Sequence, residues 1–75
     1  MEPIPVDSTV LLWVLYVPEQ RRLRLKLRSG DVYDYSDVPA RIYQALLAAD
    51  SKGHYFNHYI RDAYPTQRIR SGAAT

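Results

Sequence analysis

Arg22-Leu23-Arg24-Leu25-Lys26-Leu27-Arg28 alternates cation and leucine without interruption. Successive side chains of an extended strand point to opposite faces, so this run predicts a half-buried strand with three leucines on one side and four cations on the other. Thr9 to Val17, before it, is rich in Val, Leu, Trp and Tyr and stops at Pro18-Glu19-Gln20, where proline suits the second position of a type I turn. After it, Ser29-Gly30 turns the chain into Asp31-Val32-Tyr33-Asp34-Tyr35-Ser36. Together these segments predict an antiparallel meander of three strands, over about residues 9–17, 22–28 and 31–36.

Register decides which face the tyrosines occupy, because a slip of one residue moves every side chain to the other side. A two-residue loop of Ser29-Gly30 would set Tyr33 and Tyr35 opposite Lys26 and Arg24. A three-residue loop of Arg28-Ser29-Gly30, with Gly30 left-handed in a bulge, sets Tyr33 opposite Leu25, Tyr35 opposite Leu23 and Asp34 opposite Arg24. The second is favoured, since it buries apolar partners together and pairs opposite charges. In the first hairpin, a loop of Pro18 to Arg21 places Val14 opposite Leu25 and Leu12 opposite Leu27. Val10, Leu12, Val14 and Tyr16 then face the core, and Leu11, Trp13, Leu15 and Val17 face away from it.

Pro39 sits where a first-turn proline is tolerated, and Ile42, Tyr43, Leu46 and Leu47 recur at helical spacing through Ala49. Ser51 is placed to cap a second helix whose apolar stripe is Tyr55, Phe56, Tyr59, Ile60 and Ala63, ended by Tyr64-Pro65. The helices are expected over about residues 39–49 and 52–63. The fold class is therefore α+β: a three-stranded antiparallel meander followed by two helices packed on one face, in the order β-β-β-α-α. Its expected core is Leu12, Val14, Leu23, Leu25, Leu27, Ile42, Leu46, Leu47, Phe56, Tyr59 and Ile60.

A chain of 75 residues, 47% hydrophobic and 24% charged, has room for one domain. Such a domain buries only about 60% of its unfolded surface. Without cysteine, neither a disulfide framework nor a thiolate metal site is available. No repeat or linker divides residues 1–75, and the ordered body is expected at about 7–65, between a loose lead-in and a mobile tail that ends Ser71-Gly72-Ala73-Ala74-Thr75. The apolar run Val10 to Val17 falls far short of the roughly 20 residues that span a bilayer, and no basic segment precedes it. Export and membrane insertion are not expected; the expected location is the cytoplasm. A net charge of +2 and a pI near 9.1 permit a polyanionic partner without marking a strong sequence-independent nucleic-acid binder.

The uncovered face would set Leu11, Trp13, Leu15 and Val17 beside Arg22, Arg24 and Lys26. Arg and Lys stems lying over apolar side chains account for such a surface without any function. An aromatic among cations on an open sheet is also how single strands are stacked and neutralised, and an apolar strip on a small sheet is equally half of a self-complementary dimer.

Gly30-Asp31-Val32-Tyr33-Asp34-Tyr35-Ser36-Asp37-Val38-Pro39, then Ala49-Asp50-Ser51-Lys52-Gly53-His54-Tyr55-Phe56-Asn57 and Ile60-Arg61, resemble the KTSC domain. That family is named for a C-terminal extension of some lysyl-tRNA synthetases and also occurs as short stand-alone bacterial and phage proteins. The resemblance covers about Ser8 to Thr66 and makes Tyr33, Tyr35, Val38, Pro39, Ser51, Lys52, Gly53, Asn57 and Arg61 the family-typical residues. It implies no catalytic residue and no assigned activity, only a suggestion of RNA binding drawn from the synthetase association. Two departures stand out: Leu15 precedes Tyr16 where a small residue is common, and His54 and His58 stand where bases such as lysine are often seen.

Ser51-Lys52-Gly53 at a helix start offers free N–H groups, a hydroxyl and an ammonium, the parts of an anion site that Asn57 and Arg61 would extend. A plain serine cap, with glycine letting the two helices pack closely, is the commoner explanation. His54 and His58 are spaced for one metal ion, but with no second shell they are not taken as a metal site. No nucleophile motif is present, so no enzyme and no cofactor are expected. The leading expectation is a non-catalytic nucleic-acid-binding accessory module, with RNA the expected ligand among nucleic acids and candidate residues Trp13, Arg22, Arg24, Lys26, Lys52, Gly53, Asn57 and Arg61. The alternative is a protein-interaction or homo-oligomerising domain that uses the apolar strip of the first strand.

Overall fold

The computed structural model describes residues 2–70; of the expected tail beyond residue 65, residues 71–75 lie outside them. Five strands form one antiparallel sheet in chain order: β1 (Ile4–Pro5), β2 (Leu11–Val17), β3 (Arg22–Leu27), β4 (Val32–Tyr35) and β5 (Thr66–Arg70). Helices α1 (Ala40–Ala48) and α2 (Lys52–Tyr59) are inserted between β4 and β5. The expected α+β class holds, but the sheet has five strands instead of three, and the extra two come from the segments assigned to the lead-in and tail. β5 is exposed at every residue and is held by its ladder to β4, where Tyr35 pairs with Thr66 and Val32 with Arg70. It therefore carries little of the apolar alternation by which a buried strand announces itself.

The second hairpin closes through the three-residue loop. Gly30 has φ 99°, its N–H donates to the Leu27 carbonyl, and the Leu27 N–H donates to the Asp31 carbonyl. Leu23 consequently faces Tyr35, Arg24 faces Asp34 and Leu25 faces Tyr33. At the first hairpin a 3-10 turn over Pro18–Gln20 leads into Arg21, whose left-handed φ of 50° reverses the chain.

Val14 pairs with Leu25 as expected, but the next pair departs. Leu11, not Leu12, lies opposite Leu27, because a bulge absorbs one residue before Trp13 reaches Lys26. Ser8 fixes this entry, its Oγ accepting from the N–H groups of Val10 and Leu11 at 3.0 and 3.2 Å. Leu11 thus moves from the open face to the fully buried core, and Leu12 is only half-buried. Of the other expected core residues, Val14, Leu23, Leu25, Leu46, Phe56 and Ile60 are buried, and Leu27, Ile42 and Leu47 pack against them half-buried. Tyr59 is 57% exposed, since the inward face of α2 is centred on Gly53 and Phe56 and leads on to Ile60, leaving Tyr59 at its flank against Tyr55. Tyr16 joins the core by stacking on Tyr43 at 4.8 Å and donating its hydroxyl to the Val38 carbonyl at 2.6 Å.

Gly53 is buried against the chain that leads into β2, not against α1. A Cβ there would lie 2.6 Å from Val10 Cγ2, 2.9 Å from Val10 Cβ and 3.3 Å from Ser8 Oγ. Gly53→Ala should therefore cost about 1–3 kcal/mol from overpacking, less the helix-propensity gain of about 1 kcal/mol. Urea melts should show the loss shrinking when Val10→Ala is added. Additive single and double variants would mean that this contact does not set the docking of α2.

Candidate nucleic-acid interface

Both helices lie over the leucine face, where Leu46, Phe56 and Ile60 join Leu23, Leu25 and Tyr35 in one core. The other face carries Trp13, Leu15 and Val17 from β2, opposite Lys26, Arg24 and Arg22 of β3. Each of the three apolar side chains is half-buried. Trp13 sits between Pro5 of β1 and Lys26 of β3. The ladder continues through β4 to β5, so Lys26, Val32 and Arg70 run side by side across the sheet, as do Arg24, Asp34 and Gln67.

The three cations of β3 are not equivalent. Asp34 is only 5% exposed, and Arg24 holds it bidentately, with Nε donating to Oδ1 at 2.6 Å and Nη2 to Oδ2 at 2.9 Å. Arg22 adds a longer contact, Nη1 to Oδ2 at 3.8 Å. The hydrogen bond to Asp34 raises the Arg24 pKa above its ordinary value, partial burial opposes the rise, and the carboxylate charge adds to it. Arg24 is thereby committed to holding a carboxylate. Lys26 and Arg70 form no ion pair among the described residues. Arg70 falls in the segment beyond the expected ordered body, and its place in the sheet depends on the pairing of β5.

Lys52, Gly53, Asn57 and Arg61 belong to the helix-bearing side, and the structure does not bring them together with Trp13, Arg22, Arg24 and Lys26. Ser51 caps α2 by accepting from the His54 N–H at 3.3 Å. Lys52 Nζ donates to the Ala49 carbonyl at 3.0 Å, so the ammonium closes the turn between the helices. Lys52 and Arg28 line an open cleft of about 550 Å³ that also holds Asp7 and Asp50, and its charges balance. Asn57 and Arg61 are exposed. The His54 and His58 rings lie 4.1 Å apart, yet among the described residues no three His, Asp or Glu side chains are grouped to hold a metal ion. Among the same residues no helix is long and apolar enough to cross a membrane.

These features define a small α+β domain with helices on one face of a sheet and a mixed aromatic and cationic surface on the other. The chain belongs to the KTSC domain family, whose model matches residues 7–64. It is similar to an uncharacterised protein of Stutzerimonas stutzeri, 39% identical over 61 residues that make up 81% of this chain and 86% of that protein. A lysine–tRNA ligase of a Nostoc species is 33% identical over 54 residues, 72% of this chain but 10% of the ligase. The crystal structure of a KTSC domain protein from Yersinia pestis superposes with a TM-score of 0.89 at 32% identity, covering 92% of this chain and 97% of that one.

Removing Arg24 would leave the Asp34 carboxylate under the sheet's side chains without its bidentate donor. Arg24→Ala should cost about 1–3 kcal/mol, the penalty of an unsatisfied buried polar group. The Arg24→Ala, Asp34→Ala double variant should recover part of that loss in a denaturant double-mutant cycle. A coupling energy indistinguishable from zero would show that the pair contributes only surface charge.

Proposed function

We propose that this domain is a non-catalytic RNA-binding accessory module whose open sheet face receives a single-stranded segment. The observation that carries the reading is a row across the face that neither helix covers, with Lys26 next to Trp13 and Arg70 two strands further on. An aromatic ring next to one uncommitted cation, with a second two strands away in the same row, offers base stacking and phosphate neutralisation together. The likeness to a segment of lysine–tRNA ligases, enzymes named for a tRNA substrate, supports RNA over other polyanions. The modest net charge suits a module that adds affinity to a larger contact.

Within this reading the side chains divide their roles. Lys26 and Arg70 neutralise phosphates, with Arg22 partly available, and Trp13 stacks a base. Arg24 keeps Asp34 neutralised beneath them, so that no free carboxylate repels the backbone. The self-association alternative is weakened by one observation: the bulge takes Leu11 into the core and shortens the apolar strip to Trp13, Leu15 and Val17.

An NMR titration with tRNA and short single strands at two salt concentrations tests the proposal. Lys26→Ala should weaken binding and flatten the salt dependence by about one counterion. Trp13→Ala should remove roughly 1–3 kcal/mol with little change in that slope. If RNA leaves the sheet-face resonances unmoved at low salt, while light scattering gives a dimer mass and Trp13 is shielded from quencher, the self-association reading replaces this one.

A further inference from the structure

The helices do not cover the leucine face out to its last strand. Beyond Phe56 the face of β4 and β5 opens into a groove of about 330 Å³. Its walls are Tyr33, Tyr35 and Phe56, with Thr66 on β5 and Arg61 and Asp62 just beyond the end of α2. Tyr35 meets Phe56 edge to face at 5.7 Å and lies 6.4 Å from Tyr33. Tyr35 and Phe56 are 3% and 2% exposed and form the floor, whereas Tyr33 is half-buried and keeps ring surface accessible. Arg68 pairs with Tyr33 in the ladder and therefore shares this face.

The polar groups around the aromatic wall are of two kinds. Arg61 is exposed and makes no ion pair among the described residues, and Arg68, the ladder partner of Tyr33 on β5, is exposed as well. Asp62 supplies an acceptor on the same side. Tyr35 feels both charges: burial raises its pKa, hydrogen bonding with Thr66 opposes that, Arg61 lowers it and Asp62 raises it. Its hydroxyl thus stays protonated at neutral pH, with both charged residues close by.

We infer that this groove binds one nucleotide unit, its base against Tyr33, a donor on its base edge or ribose facing Asp62, and its phosphate at Arg61 and Arg68. A simple anion would leave the aromatic wall unused, and a plain aromatic ligand would leave the cations and Asp62 unused. The volume lies at the small end of ligand sites, enough for one such unit and not for a folded partner. A free mononucleotide and a nucleotide splayed from a strand present the same chemistry. The site stands apart from the sheet-face reading, because Trp13 and Lys26 project from the opposite side of the sheet.

The test is an amide NMR titration of the full chain with each nucleoside 5′-monophosphate, with inorganic phosphate, with phenyl phosphate and with a short single-stranded RNA. At least one mononucleotide or the strand should shift Tyr33, Arg61 and Thr66 saturably; shifts with mononucleotides indicate a free nucleotide, and shifts with the strand alone a splayed one. Arg61→Ala, an exposed position, should weaken binding by about tenfold, the loss of one charge-assisted contact. Arg61→Lys should restore part of it, and Trp13→Ala should leave it unchanged. The inference is overturned if inorganic phosphate produces the same shifts, if phenyl phosphate binds as tightly as every nucleotide, or if neither mononucleotide nor strand moves the groove. Shifts confined to the Trp13 and Lys26 face would overturn it while leaving the sheet-face proposal standing.

Discussion

Gly30 at φ 99° lets the β3–β4 loop close over three residues, and the pairing of the sheet's centre follows from that closure. Because side chains alternate with a period of two, the same step that puts Tyr33 and Tyr35 among the leucines puts Asp34 against Arg24 on the opposite face. A loop one residue shorter would have set both tyrosines among cations and left Asp34 among leucines. The apolar and ionic preferences of the two strands are therefore satisfied by one register and opposed by the other. The helices depend on it as well, since Tyr35 is the surface on which Phe56 rests.

A second constraint acts at the other end of the sheet. Ser8, Val10 and Leu11 form a tight entry to β2, held by the Ser8 hydroxyl and by the Arg28 N–H donating to the Val10 carbonyl. Gly53 presses against this entry closely enough to exclude a side chain. The bulge that buries Leu11 and the seat of α2 thus share the same few atoms. Ser51-Lys52-Gly53 is explained by packing: the serine caps, the lysine closes the interhelical turn and the glycine admits Val10.

The central strands and both helices were legible because their burial is one-sided and periodic. The alternation of Arg22 to Arg28 and the recurrence of Ile42, Leu46 and Leu47 are direct imprints of that geometry. The bulge was not legible, since Leu11 and Leu12 are chemically identical and either suits the core; the choice is made by Ser8, a loop residue. β5 was hidden for the opposite reason. It buries nothing of its own and exists because β4 has a free edge to satisfy, a property of the assembled sheet and not of the sequence from Thr66 to Arg70. Candidate site residues divide in the same way. Trp13 and Lys26 were placed on one face by alternation, while Arg61 was joined to the Lys52 patch through its four-residue spacing from Asn57, although α2 ends at Tyr59. The structure puts Arg61 beside the tyrosines of β4 instead.

Asp34, the one carboxylate among the described residues of β2 to β5, gives the open face its character. Four cations without Asp34 would repel one another across adjacent strands and hold any polyanion through charge alone. Asp34 withdraws Arg24 and part of Arg22 from that role, and the uncommitted charge is left at Lys26, next to Trp13, and at Arg70, two strands further along the same row. What remains is a narrow strip with one stacking ring and two free cations. Such a strip suits a short stretch of single strand better than a duplex, whose closely spaced phosphates favour a broad, continuous cationic surface.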